Sequence, residues 1–128
     1  DLEDLIGEVE AIDRWQGFPA QRSEFLSHIE DNDIPGVLWI SGDFHFGFIA
    51  QVGRTGDVGD SMMEVLVGPT GSFLNIMGAL LVTTEQYQQA LPEWCHTRFE
   101  CNPQTGEVFI QYILDDGSVG MERQLELL

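Results

Sequence analysis

The 128-residue sequence contains no lysine, and five arginines stand against 22 acidic residues, for a net charge of −17. Binding to a nucleic-acid backbone depends on neutralising phosphates with basic side chains, so this balance argues against a DNA or RNA partner. An anionic membrane surface is disfavoured for the same reason. No apolar run reaches the roughly 18 residues that a membrane span needs, the longest stretch lying near Ile76 to Val82. No signal-peptide pattern opens the sequence. Internal repeats and low-complexity segments are missing as well. Only two cysteines are present, Cys95 and Cys101. On one strand their sulfurs would lie about 20 Å apart, too far for a disulfide, and a zinc site with His96 lacks a fourth ligand. Free thiols, at least partly buried, are expected, with His96 as a satisfied structural residue.

What is present suits a folded domain. A hydrophobic fraction of 43% argues against disorder, and the length suffices for one core. Leu2, Leu5, Ile6, Val9 and Ile12 recur at three and four residues, which predicts a short amphipathic helix. A loop follows to Pro19, and Ala20 to Asn32 reads as a second helix with Phe25, Leu26 and Ile29 inward and His28 at the surface or boundary. Pro35-Gly36 then turns the chain into the central strand.

The stretch Val37 to Gly47 carries the chemistry. Four apolar residues, Val37 to Ile40, predict a strand buried on both faces and ended by Ser41-Gly42. Asp43 and His45 come next, two positions apart. In extended backbone they project to one side, just past the carboxyl end of the strand, where ligands of open α/β sheets bind. An oxygen and a nitrogen donor suit a hard or borderline metal ion, with Phe44 and Phe46 keeping the other side dry. Gly-Asp after a strand is also ordinary turn chemistry, and that second reading makes the chain a non-enzymatic interaction or assembly domain.

The segment from Asp13 to Gly47 resembles the last metal-ligand region of the PhoD-type alkaline phosphatase/phosphodiesterase family. The residues that match are Trp15, Gly17, Phe18, Pro19 and Arg22, which open a helix, then Gly42, Asp43 and His45 after a hydrophobic strand. Glu64 to Ser72 is similar to the strand and loop that follow in that family. The resemblance implies a dinuclear centre in which Asp43 binds one metal and His45 the other. Iron and calcium are the metals implied, while two such ligands alone are compatible with zinc, manganese or magnesium. Trp15 is implied as an active-site wall, or else as simple packing. Arg22, a cation in the first turn of a helix, reads either as a phosphate-orienting group or as a surface salt bridge. Asn75 is placed near the metal cleft.

The family's other metal-binding loops lie upstream of this region and have no counterpart here. The resemblance therefore implies the C-terminal part of a larger enzyme, its centre completed by a missing N-terminal half or a second chain. A phosphate ester is the implied substrate, the isolated chain is expected to be inactive, and an uncovered sheet invites self-association. An extracytoplasmic location follows from the resemblance alone.

Past His45, Phe46 to Val52 predicts a second buried strand, Arg54 to Asp60 an exposed hairpin loop and Met62 to Val67 the antiparallel return strand. Gly68 to Ser72 reads as a connection, lacking the lysine and spacing of a nucleotide-binding loop. Phe73 to Val82 fits helix or strand equally. Thr84 to Leu91 reads as a short helix capped by Thr83 or Thr84 and ended by Pro92. His96 to Cys101, Glu107 to Leu114 and Val119 to Leu127 alternate polar and apolar residues around two turns, which predicts a three-stranded meander. The expected fold is α/β (α+β): the C-terminal portion of a metallophosphoesterase-like sandwich, forming a single domain or a fragment over residues 1–128.

Overall fold

The structure, a computed structural model, describes residues 15–76 and 85–128. The chain divides into two compact units, Asp1–Ile34 and Pro35–Leu128. Among the described residues the architecture is α+β, with one α-helix, two sheets and a preponderance of strand.

In the first unit a 3₁₀ turn, Trp15–Gly17, leads into helix α1, Pro19–Asp31. Pro19 stands at the first helical position, where its missing N–H costs nothing. Leu26 and Ile29 are buried, as their spacing predicts. Phe25 is not: it is 54% exposed and instead meets the Trp15 ring at 6.0 Å, because it sits on the margin of the stripe that Leu26 and Ile29 define. The Asn32 side chain donates to the His28 carbonyl at 2.8 Å and closes the helix. His28 is exposed. The helix expected at Leu2 to Ile12 lies outside the described residues.

The second unit holds both sheets. Strands β1 (Leu38–Ser41), β2 (Gly47–Gln51), β3 (Met63–Leu66) and β4 (Tyr87–Leu91) form a four-stranded sheet in the order β1-β3-β2-β4. β1 runs parallel to β3, and β2 runs antiparallel to both β3 and β4. The strand expected to be central and doubly buried is therefore an edge strand among the described residues, and Ile40 is 59% exposed. An apolar run does not reveal whether a strand has one neighbour or two. β2 takes the central role, with Gly47 to Ala50 all buried, and the return strand β3 forms as expected.

Residues 87–91, expected in a short helix, are strand β4 instead. Local preference is outweighed by the open side of β2, which β4 fills by pairing, and Gln86 secures the junction by donating to the Gln51 and Val52 carbonyls at 3.0 and 3.2 Å. Thr83 and Thr84 lie outside the described residues. Of the ambiguous run 73–82, only 73–76 are described, and they form a loop ending in a single 3₁₀ residue.

Strands β5 (Cys95–Asn102), β6 (Glu107–Leu114) and β7 (Val119–Glu126) form the expected antiparallel meander. The burial of β6 alternates, with Val108, Ile110 and Tyr112 turned to the core. Ile49 and Val65 of the first sheet share a core cluster with these three, Cys95 and Leu125. Tyr112 is fully buried, and its hydroxyl lies 2.8 Å from the Phe48 carbonyl and 2.9 Å from that of Leu66, joining the meander to β2 and β3. Both cysteines are free thiols, but only Cys95 is buried; Cys101, close to the solvent-facing end of β5, is exposed. His96, expected as a structural residue, is an exposed residue of β5.

Candidate functional site

β1 and β3 run side by side and end together, Ser41 opposite Leu66. The chain leaving β1 must pass over the end of β3 to reach β2 on its far side, since β3 lies between them. Residues 42–46 therefore span two interstrand spacings, about 9.5 Å, where a hairpin would span one. This loop carries Asp43 and His45 at the carboxyl ends of two parallel strands, the position the sequence predicted.

The geometry within the loop differs from the expectation. Asp43 and His45 are not extended: their φ angles are 70° and 64°, both in the left-handed region. Non-glycine residues adopt that region at a cost, and such residues cluster at functional sites. Phe44 and Phe46 approach at 5.2 Å, Phe46 and Phe48 at 5.6 Å, and Phe48 and Tyr87 at 5.2 Å, a row of rings beneath the loop. Phe46 is fully buried, so the end of the loop that enters β2 is dry.

The segment leaving β3 returns past the same place. The His45 Nδ1 lies 3.1 Å from the carbonyl oxygen of Phe73, whose ring meets the imidazole edge-on at 4.3 Å. A carbonyl can only accept, so in the neutral imidazole the proton sits on Nδ1 and the lone pair on Nε2. Metal-binding histidines characteristically have this arrangement, with one ring nitrogen donating to a carbonyl and the other left to the metal. The Asn75 N–H donates to the His45 carbonyl at 3.0 Å, so Asn75 meets the loop through its backbone.

The Asp43 carboxylate is exposed. Together the two side chains supply one anionic oxygen and one imidazole nitrogen, a donor set that fits part of a divalent metal's shell. Among the described residues no group of three or more His, Cys, Asp or Glu side chains is placed to hold a metal. Trp15 and Arg22 belong to the helical unit, in the 3₁₀ turn and the first turn of α1. A shallow depression lined by Glu100, Cys101, Asn102, Glu107, Phe109 and Gln124 lies on the meander and includes none of the loop residues.

The sequence does not mark out Phe73. Its contribution is a backbone carbonyl, which every residue has, so only the approach of two loops distant in sequence reveals it. No curated protein and no solved structure matches the chain. A family model described as PhoD-like phosphatase matches residues 3–116, the greater part of the sequence. By that match the chain belongs to the PhoD-like phosphatase family.

Proposed function

We propose that this chain contributes Asp43 and His45 as metal ligands to the hydrolysis of a phosphate ester, within a metallophosphoesterase-like α/β sandwich of which it forms the C-terminal part. Family membership supports a phosphatase-related function. The observation that carries the finer reading is the Phe73 carbonyl 3.1 Å from His45 Nδ1, an acceptor that calls for a protonated Nδ1 and so leaves the lone pair on Nε2.

In this reading His45 presents Nε2 as a neutral donor and Asp43 presents a carboxylate oxygen, each toward one metal of a pair, iron and calcium being the pair that the family resemblance implies. A bound pair supplies charge neutralisation of the phosphoryl oxygens and lowers the pKa of a coordinated water. The left-handed backbone at 43 and 45 sets the direction of both side chains, and the loop runs into the row of packed rings that begins at Phe44 and Phe46. Trp15 and Arg22 carry the same family resemblance, and the Arg22 guanidinium has the chemistry of a phosphate-orienting cation. The remaining ligands would come from an N-terminal half or a second chain, and an extracytoplasmic location accords with the same reading.

Two measurements on the purified chain test this. Calorimetric titration with Mn²⁺ or Zn²⁺ is expected to show weak binding that is reduced in His45→Ala and in Asp43→Asn and lost when the two are combined. Hydrolysis of p-nitrophenyl phosphate is expected to be absent from the chain alone. Metal binding that survives both substitutions would refute the assignment of the ligands. Turnover by the single chain, abolished by His45→Ala, would refute the shared centre.

A further inference from the structure

The segment after β3 is fastened to the meander as well as to His45. The Gly68 N–H donates to Thr97 Oγ1 at 3.1 Å, and the Pro69 carbonyl accepts the Cys95 N–H at 3.0 Å. A Cβ at Gly68 would fall within 2.1 Å of the Cys95 sulfur, so this part of the loop lies directly on the start of β5. The third fastening is a side chain: the Trp94 indole N–H donates to the Ser72 carbonyl at 2.7 Å. Trp94 is 49% exposed, so burial alone does not account for its place.

The Ser72 carbonyl belongs to the peptide unit that leads into Phe73. Because a peptide unit is planar, holding that oxygen sets the plane from which Phe73 starts. Only the two backbone rotations of Phe73 then separate the anchored plane from the carbonyl that faces His45 Nδ1. The next anchor, Asn75 N–H to the His45 carbonyl at 3.0 Å, closes the other side.

We propose that Trp94 is a positioning residue for His45: through the Ser72 carbonyl it places the Phe73 carbonyl that keeps the imidazole proton on Nδ1 and the lone pair on Nε2. The functional meaning of this device rests on the ligand role proposed for His45, whereas the device itself involves neither metal nor substrate. The Phe73 ring, edge-on at 4.3 Å, packs against the imidazole without choosing its tautomer.

The test is the ¹⁵N spectrum of the imidazole nitrogens in the metal-free full chain, about two pH units above the ordinary histidine pKa of ~6.5. His45 is assigned by the resonances that vanish in His45→Asn. The wild-type chain is expected to show one tautomer, with Nδ1 protonated and Nε2 bare. In Trp94→Phe, His45 is expected to move toward the mixed tautomers of a free imidazole, while Phe73→Leu, which keeps the carbonyl, retains the wild-type pattern. Benzothienylalanine at position 94 preserves the shape of the indole and removes only the N–H, so it decides the matter should Trp94→Phe disturb the fold. It is expected to reproduce the loss of the single tautomer. A wild-type tautomer pattern in the benzothienylalanine protein would overturn the proposal, as would loss of the pattern in Phe73→Leu. Failure of the metal titrations would leave the tautomer result standing, so the two proposals fail separately.

Discussion

The ring of Tyr112 occupies the space that a side chain at Gly47 would need: a Cβ there would lie 2.4 Å from Tyr112 Cε1. Gly47 is the first residue of β2 and follows the Asp43–Phe46 loop directly, so the meander bears on the far end of that loop.

Gly47→Ala is therefore expected to destabilise the fold by about 1–3 kcal/mol, the range typical of overpacking. Urea unfolding measures it. Combined with Tyr112→Leu, the cost should be less than the sum of the two single substitutions, since removal of the ring frees the space. Strict additivity would mean that the contact is absent in solution.

Tyr112→Phe keeps the ring and removes the hydroxyl that reaches the Phe48 and Leu66 carbonyls. A loss of about 1–2 kcal/mol is expected, because a buried hydrogen bond disappears without a replacement. No change in the urea midpoint would show that these carbonyls are satisfied without it.

The left-handed backbone at Asp43 separates function from stability. Asp43→Gly relieves the φ of 70° and is expected to lie between neutral and about 1 kcal/mol more stable, the relief being partly offset by glycine's greater freedom when unfolded. Asp43→Val, forced into the same φ, should lose about 1–2 kcal/mol. Equal thermal midpoints for the two variants would rule out the left-handed conformation in solution.

Much of this architecture can be read in the sequence, because it depends on local patterns. The alternation from Cys95 to Glu126 encodes the meander directly, and Leu26 and Ile29 mark the buried stripe of α1. The position of Asp43 and His45 past a strand end follows from Ser41-Gly42 breaking an apolar run. What could not be read depends on partners distant in the chain. Tyr87 to Leu91 forms a strand by pairing with the side of β2 that β3 leaves open, and β1 has β3 as its single partner among the described residues. Positive φ at Asp43 and His45 has only a weak residue signature, the general tolerance of Asp and His for the left-handed region, which does not say where it will be used. The Phe73 carbonyl has no signature, since every residue carries one.

The two thiols should differ sharply. Burial, followed by the charge of Glu93, pushes the Cys95 thiol up from its ordinary value, whereas Cys101 is exposed. Ellman's reagent is expected to titrate one thiol per native chain and two after unfolding, and Cys101→Ser should abolish the native reaction. A native stoichiometry of two would contradict the burial of Cys95.

The same raised value gives stability an alkaline limb. The folded chain holds the Cys95 proton more tightly than the unfolded chain, so this contribution is complete below the ordinary thiol pKa of ~8.5 and is lost as pH rises through the higher folded value. Cys95→Ala should flatten that limb in urea midpoints measured as a function of pH. An unchanged slope would assign the limb to other groups, Tyr112 among them, whose phenol burial also raises.

The turn Arg54 to Asp60 joins the trailing end of β2 to the leading end of β3, whereas the Asp43–His45 loop caps the opposite end of the same strands. Its backbone is closed on itself, Gly53 N–H to the Gly59 carbonyl at 2.9 Å and Asp57 N–H to the Arg54 carbonyl at 2.8 Å, and nothing lies within 4 Å of a Cβ placed at Gly56. A fluorophore carried by the exposed Thr55, clear of the strain that the φ of 89° at Gly56 would impose on any side chain, would therefore sit a strand's length from the imidazole, giving a handle for tracking the chain without touching the Asp43–His45 loop.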